Sequence, residues 1–390
     1  MKTRVCHIIT KLELGGAQQN TLYTVAHLDR TRFEPSLVTG PGGLLTQEAR
    51  SSGVTLHVLP SLRREVSPPG DLKALADLVR LLRRERPHIV HTHSSKAGIL
   101  GRWAATLAGV PHIVHSVHGY GFHDGQNAVA RTLFVSAERA TGRLATSAFI
   151  AVSRANIDRG LDLELFPPDR VCLVRSGVPL AEFSPRPPVT TSGGPVTVGM
   201  VACLKPQKAP LDFIRVAARV ALETAAGPTI RFILVGDGEM RPEVEALIRA
   251  ERLEDRVTLA GWRRDIPALM RRFDILLHTS LWEGLPRVFP EAMATALPIV
   301  ATRVDGAPEA IEEGITGFLL PPGDVEGLAR RTLELALDPA LRRRMGEAAV
   351  SRVEPWDIDQ MVRRQERLYE ALIAQGPAAA AAQLAGSATR

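Results

Sequence analysis

Two glutamates, Glu283 and Glu291, stand on either side of a Gly-Leu-Pro turn that follows a strand-like run and opens a helix. In such a turn the backbone N–H groups lie at the positive end of a helix dipole, where they bind phosphate. The groups expected to do so belong to Gly284, Leu285, Arg287 and Val288. The stretch therefore predicts an anion site in which one carboxylate lies on the loop and the other on the helix.

Other chemically capable residues also follow predicted strands. Lys205 and Lys208 follow the run 196–202, and Gly236-Asp237 ends the buried run 230–235 in a tight turn. In the first half of the chain, Gly15-Gly16 joins the first strand to its helix, and His118 ends the run 112–117. In open α/β sheets ligands bind beyond the carboxyl ends of the strands, so these loops are the expected site.

Strand-like and helix-like periods alternate along the chain, which favours parallel sheets with helices on both faces. The strands expected in the first half are 4–10, 33–39, 54–59, 88–93 and 112–117. A first helix is expected to begin at residue 17, and further helices are expected at 44–51, 71–86 and 97–108. After residue 195 the alternation restarts, with strands expected at 196–202, 230–235, 257–260, 274–279 and 298–302. The fold class is therefore α/β, with two Rossmann-like doubly wound domains.

A length of 390 residues also favours two domains, because single cores rarely grow beyond about 250–300 residues. The segment 186–195, rich in Pro, Gly, Ser and Thr, reads as a linker. The predicted domains are 1–185 and 196–375, followed by an alanine-rich tail, 376–390, that is expected to be disordered.

Composition and charge exclude several classes of protein. The net charge is +6, with 22 basic and 15 acidic residues up to residue 185 and 26 and 27 after it. A basic stripe interleaved with aromatic residues is missing, so nucleic acid is not an expected partner. The three cysteines lack metal-ligand spacing, and no secretory or transmembrane run occurs, which predicts a cytoplasmic protein.

Ten of the eleven histidines fall in the first half of the chain, several of them between His88 and His123. No His pair at helical spacing accompanies a glutamate, and His91 and His93 alternate along a strand. Zinc is therefore disfavoured, and no metal site is predicted.

The Glu-x7-Glu arrangement in this context resembles the family-four retaining glycosyltransferases, which have two Rossmann-like domains facing across a cleft, the GT-B fold. The resemblance implies a nucleoside-diphosphate sugar as donor and no metal cofactor. It assigns Glu283 to hydroxyls of the donor sugar and Glu291 to the ribose.

The resemblance carries further roles onto this sequence. Lys208 matches a lysine that binds the diphosphate, whereas Cys203 stands where the family has an arginine, which leaves Lys205 as the nearest second cation. Three loops also match positions beside the donor. They are Gly15-Gly16, His118 near the sugar, and Gly236-Asp237.

The expected reaction is transfer of the sugar with retention to an acceptor such as a lipid-linked or cell-surface glycan precursor. Cationic helices, including the run 78–86, allow peripheral contact with an anionic membrane at its inner face, although a solvated surface explains them better. Two alternatives stay open. One is a nucleotide-sugar epimerase of similar fold, and the other is a non-catalytic sugar-nucleotide-binding protein, which the cysteine at 203 favours.

Overall fold

The computed structural model describes residues 2–122, 126–185, 194–224 and 229–386. The chain divides into two compact units. Unit 1 comprises Met1–Gly177 together with Ile358–Arg390, and unit 2 comprises Val178–Asp357. Most of the linker expected at 186–195 lies outside the described residues, which resume at Gly194.

Unit 1 is built on a seven-stranded parallel sheet with the order β3-β2-β1-β4-β5-β6-β7. Its strands are β1 (Thr3–Ile9), β2 (Phe33–Thr39), β3 (Thr55–Val58), β4 (Ile89–His93), β5 (His112–Val117), β6 (Ala148–Ala151) and β7 (Val171–Leu173). Every residue of β4 is buried, as expected for a central parallel strand with both faces covered.

The helices of unit 1 connect these strands and, at the end of the chain, return to the same sheet. They are α1 (Gly16–His27), α2 (Thr46–Ser51), α3 (Pro68–Glu85), α4 (Ser95–Ala108), α5 (Ala128–Leu144), α6 (Arg154–Asp162), α14 (Ile358–Gln375) and α15 (Pro377–Gly386). Each βαβ connection joins parallel strands, so the alternation read from the sequence is confirmed.

Unit 2 contains a six-stranded parallel sheet with the order β10-β9-β8-β11-β12-β13. Its strands are β8 (Val196–Val201), β9 (Ile230–Val235), β10 (Val257–Gly261), β11 (Ile275–His278), β12 (Ile299–Thr302) and β13 (Gly317–Leu320). Its helices are α7 (Pro210–Glu223), α8 (Arg241–Ala250), α9 (Ile266–Met270), α10 (Val288–Ala294), α11 (Ala307–Ala310), α12 (Val325–Leu337) and α13 (Pro339–Val350).

The domain boundary predicted at residue 375 is wrong, because α14 packs on unit 1 rather than on unit 2. Met361 and Leu372 of α14 belong to the same buried cluster as Val5, Ile89 and Val114 of the unit 1 sheet. Burial of this apolar face outweighs closeness in sequence to unit 2, since hydrophobic stabilisation follows the area removed from water.

The tail expected to be disordered from residue 376 is helical over Pro377–Gly386. Ala380 and Ala381 are fully or almost fully buried, and α15 lies against β7 and α14. Alanine has the highest helix propensity, and its small side chain allows close packing on a sheet, so the alanine run serves as a packed helix.

Among the described residues, no helix is both long enough and apolar enough to cross a bilayer.

Candidate functional site

Each sheet has one position where the strand order reverses, and open α/β sheets bind ligands beyond the strand ends at such positions. In unit 2 it lies between β8 and β11, and in unit 1 between β1 and β4. The loop that contains Lys208 follows β8, and the loop that contains Glu283 follows β11. Lys208 and Glu283 therefore lie where the topology favours binding.

The loops after β8 and β11 are joined to each other by hydrogen bonds. Leu281 N donates to Gln207 O at 2.8 Å, and Gln207 Nε2 donates to Trp282 O at 2.9 Å. Thr279 Oγ1 donates to Lys208 O at 3.0 Å. The backbones that carry Lys208 and Glu283 are thereby fixed relative to each other.

Glu283 is the centre of a buried polar cluster at the end of β11. Its Oε1 accepts a short hydrogen bond from Lys208 Nζ and further bonds from His278 Nε2 at 3.0 Å and Ser280 Oγ at 2.6 Å. Its backbone N donates to Asp305 Oδ2 at 2.6 Å. Three donors on a single carboxylate oxygen hold the side chain in one orientation.

Charge and hydrogen bonding decide the ionisation of this cluster. Burial on its own raises the pKa of Glu283, but the Lys208 ammonium and the hydrogen bond from His278 outweigh it and lower the pKa to about 2. Burial also lowers the pKa of His278, despite the opposing effect of Glu283. At neutral pH the cluster therefore consists of a carboxylate, an ammonium and a neutral imidazole.

Glu291 lies on α10 beside Arg287, one turn earlier, with Arg287 Nη2 at 3.8 Å from Glu291 Oε1. Burial raises the pKa of Glu291, and the Arg287 guanidinium opposes this rise. Burial likewise lowers the pKa of Arg287, and Glu291 and Glu182 oppose that fall. A charged pair that is largely withdrawn from water in this way is suited to recognise a polar ligand.

The turn between β11 and α10 contains backbone N–H groups, and their predicted binding of phosphate stays a prediction. Among the described residues, the N–H groups of Gly284 and Leu285 have no hydrogen-bond acceptor. Val288 is the first residue of α10, and both Leu285 and Val288 are buried. The helix itself is only seven residues long, so these local N–H groups matter more than the helix dipole.

Lys205, the candidate for the second cation, lies on the same loop as Lys208. Lys205 precedes the 3₁₀ turn Pro206–Lys208, and its side chain forms no ion pair within the described residues. Cys203 is half-buried on the same loop. Whether Lys205 serves as a second cation stays a prediction.

The Gly236-Asp237 turn packs closely against the loop after β8. Gly236 has φ of +128°, and a Cβ added there would lie 2.0 Å from Ala202 O. The Asp237 carboxylate accepts hydrogen bonds from Gly238 N and Arg241 Nη1, each at 2.8 Å. These contacts give the turn a structural role, and its predicted contact with a donor stays untested.

In unit 1, Gly15 precedes α1 and Gly16 is the first residue of that helix, so the glycine loop lies at the carboxyl end of β1. His118 follows β5, and its Nε2 lies 3.0 Å from His93 Nδ1 on β4. Burial lowers the pKa of His118 to about 4, which makes the ring neutral at pH 7.

Three contributors to the unit 2 site were not predicted. His278 and Ser280 both contact Glu283, and Glu182 influences Arg287 from the start of unit 2. A signal was present for the first two, since residues two apart at the end of a strand point to the same face. The sequence position of Glu182 carries no such signal.

Trp262 is 45% exposed beside β10. A group of three histidines with metal-binding potential also occurs among the described residues. It consists of His7, His91 and His93, and one ring nitrogen of each lies within 4.8 Å of those of the other two.

Two family models match the chain. The model described as glycosyl transferase 4-like domain matches residues 15–177, and the model described as glycosyl transferases group 1 matches residues 195–338. The two matches fall on unit 1 and unit 2, respectively.

A curated relative from Escherichia coli, the UDP-Gal:alpha-D-GlcNAc-diphosphoundecaprenol alpha-1,3-galactosyltransferase, is 32% identical over 355 residues, covering 87% of this chain and 89% of the relative. The solved structure of Anabaena HepE in complex with UDP and glucose has a TM-score of 0.82 at 21% identity, covering 95% of this chain and all of that one. Sucrose-phosphate synthase from Thermosynechococcus elongatus also gives 0.82, at 19% identity, covering 96% of this chain and all of that one.

The structural similarity extends over both units and establishes the two-domain Rossmann-like GT-B fold expected from the sequence. The galactosyltransferase is similar to this chain in sequence, and the similarity extends over nearly the whole of both chains. On these grounds the chain belongs to the family-four glycosyltransferases and is a glycosyltransferase enzyme.

Proposed function

We propose that this protein transfers a hexose from a UDP-sugar to a lipid-linked N-acetylglucosaminyl diphosphate acceptor, with retention of the anomeric configuration. The observation that carries the proposal is the Lys208–Glu283 pair at the switch point of unit 2. The printed substrates of the Escherichia coli relative and the UDP and glucose bound to HepE support the choice of donor and acceptor classes.

The donor diphosphate would interact with Lys208 and with the N–H groups of Gly284 and Leu285. Ammonium and backbone N–H groups stabilise the charge that develops on a departing diphosphate, which is how an enzyme can do without a metal ion. We therefore expect activity to persist in the presence of a chelator such as EDTA.

Glu283 would accept hydrogen bonds from hydroxyls of the donor sugar. Its Oε1 is already occupied by Lys208, His278 and Ser280. All of these side-chain contacts are made by Oε1, so within the described residues the second oxygen, Oε2, is available to a ligand. Because three donors fix the carboxylate, little freedom would be lost on binding.

Glu291 would accept hydrogen bonds from the ribose, and Arg287 would oppose the rise in the pKa of that carboxyl that burial causes. Neither glutamate is proposed as a nucleophile. Retention would arise because the acceptor hydroxyl attacks the face from which the diphosphate departs.

The test is a transfer assay with radiolabelled UDP-hexoses and a synthetic polyprenyl diphosphate N-acetylglucosamine acceptor. We expect one UDP-hexose, with UDP-galactose as the first candidate, to give a product whose proton coupling constant identifies an α-linkage. A β-linked product would refute retention, and inactivity with all lipid-linked acceptors would refute the acceptor class.

Two controls separate the alternatives. Conversion of the donor to another sugar nucleotide without acceptor would identify an epimerase. Donor binding, detected as a rise in thermal stability with ligand concentration, combined with no transfer to any acceptor would identify a non-catalytic binding protein. Lys208→Met is expected to lower kcat by about 100-fold or more, and Lys205→Met tests separately whether Lys205 supplies a second cation to the diphosphate.

A further inference from the structure

A row of buried polar side chains crosses one face of the unit 1 sheet beneath α14. The strands contribute His7 from β1, His91 and His93 from β4, and Ser116 from β5. His7 is in register with His91, and His93 with Ser116. Tyr369 of α14 joins them, and no member is more than 4% exposed.

Together with His118, these side chains form one unbranched series of hydrogen bonds, which we call the histidine row. In order, its contacts are Ser116 Oγ to His91 Nε2 (2.7 Å), His91 Nδ1 to Tyr369 Oη (2.6 Å), Tyr369 Oη to His7 Nε2 (3.3 Å), His7 Nδ1 to His93 Nε2 (3.0 Å) and His93 Nδ1 to His118 Nε2 (3.0 Å). Both nitrogens of three rings are used, and only His118 Nδ1 has no partner among the described residues.

Burial keeps these rings neutral, because it lowers the pKa of His7 to about 3 and lowers those of His91 and His93 well below the usual range. A neutral imidazole has one N–H and one lone pair, so a ring that donates at one nitrogen accepts at the other.

This property couples the protons along the row. Once the donor and the acceptor of one hydrogen bond are fixed, every other hydrogen bond in the row must run in the same donor-to-acceptor direction. A Tyr369 hydroxyl that accepted from both His91 and His7 would leave its own proton unpaired in a buried site, which is unfavourable. Two arrangements satisfy all five contacts, one with all four rings protonated at Nδ1 and the other with all four at Nε2.

We propose that the histidine row holds His118 neutral and in a fixed orientation so that its Nδ1 pairs with a hydroxyl group of a bound sugar. A hydroxyl suits the site because it donates and accepts and therefore pairs with Nδ1 in either arrangement, whereas a phosphate could only accept. The sugar is the substrate of the proposed function, on which this part of the inference rests. Tyr369 of α14 is then a positioning residue, which acts on His118 through the row.

A metal ion is the competing explanation for His7, His91 and His93, since neutral imidazole is a common ligand of Zn²⁺. However, metal ligands direct their nitrogens to one point, whereas each of these nitrogens faces its own hydrogen-bond partner. Equilibrium dialysis against Zn²⁺ decides between them. If the wild type bound one equivalent of Zn²⁺ and His91→Asn bound none, the three histidines would form a metal site and the proposed hydrogen-bonded row would be wrong.

The direct test is a long-range ¹H–¹⁵N correlation spectrum of the ligand-free protein labelled at histidine, with the rings assigned by single His→Asn substitutions. We expect four neutral rings that share one tautomer. A mixed set of tautomers, or a charged ring at pH 7, would overturn the proposal. This result does not depend on whether the protein transfers a sugar.

The functional test is Tyr369→Phe, which removes the contact between His91 and His7 and preserves the aromatic packing. We expect kcat to fall by about 10-fold, the lower end of the loss caused by removing a partner that orients a metal-bound histidine, while the donor KM changes less than about twofold. The ring of His118 should also lose its fixed tautomer. The control is Tyr23→Phe, because the Tyr23 hydroxyl donates to Asp359 at 2.8 Å outside the row.

A Tyr369→Phe protein with wild-type kcat and an unchanged His118 tautomer would contradict the proposal. Equal losses in Tyr369→Phe and Tyr23→Phe would also contradict it, because they would indicate a general effect of α14 packing. If no sugar is transferred by the wild type, the proposed function fails, and the spectrum alone still decides whether the row exists.

Discussion

The ion pair between Lys208 and Glu283 allows a quantitative prediction for Lys208→Met, which keeps most of the side-chain volume and removes the charge. Glu283 is 8% exposed. Its pKa falls from an ordinary value of 4.5 to about 2, and Lys208 is the largest cause of that fall. At about 1.4 kcal/mol per pKa unit, the carboxylate contributes about 3 kcal/mol to the stability of unit 2 at pH 7.

The sign of the pH dependence follows from the direction of the change. Because the folded pKa is lower than the unfolded one, this contribution is fully present above pH 4.5 and is lost as the pH falls through about 2. Lys208→Met removes the largest cause of the lowered pKa, so the pKa of Glu283 should return towards its ordinary value. We therefore expect the variant to be less stable by about 3 kcal/mol at pH 7 and by only about 1 kcal/mol at pH 3.

Urea unfolding followed by tryptophan fluorescence measures this difference. Trp262, Trp282 and Trp356 lie in unit 2, so a Trp103→Phe background restricts the signal to that unit. Lys205→Met is the matched control and should change the free energy of unfolding by less than about 0.5 kcal/mol. A Lys208→Met difference that is below about 1 kcal/mol at pH 7, or that is the same at pH 3, would refute the reasoning.

Three further predictions test other parts of the molecule. Glu291→Gln should raise the donor KM about 10-fold in steady-state assays, because an amide accepts ribose hydrogen bonds more weakly than a carboxylate; an unchanged KM would exclude a ribose contact. Gly236→Ala should lower the free energy of unfolding in urea by about 2 kcal/mol or more, since its Cβ would overlap Ala202 O, and a smaller loss would mean that the turn relaxes. Deletion of residues 358–390 should abolish cooperative unfolding of unit 1 in calorimetry while the unit 2 transition remains; loss of the unit 2 transition instead would contradict the observed division of the chain.

Several strands were predictable to the residue. Phe33–Thr39, His112–Val117 and Ile230–Val235 begin and end where the apolar pattern places them. Shorter strands, including Ala148–Ala151 and Val171–Leu173, were not identified. A run of three or four residues carries too little periodicity to be distinguished from a loop.

The sequence predicted which loops carry the candidate site residues, but it did not predict which of these residues contact each other. The loop after β11 was found because it combines carboxylates with a glycine turn, and its location at the switch point agrees with that expectation. The contact of His278 with Glu283 was not anticipated, because a histidine at a strand end is as often structural as functional. The donor-binding roles of these residues stay predictions until the variants are assayed.

The sequence alone determined the class of fold and the loops that carry polar side chains, because periodicity and turn residues are local properties read over a few neighbours. Only the tertiary structure decided which side chains meet. Lys208 and Glu283 are 75 residues apart in sequence, and His91 and Tyr369 are 278 apart. Both pairs depend on strand order and on the packing of α14, which reflect the burial of apolar area across the whole unit rather than any short pattern.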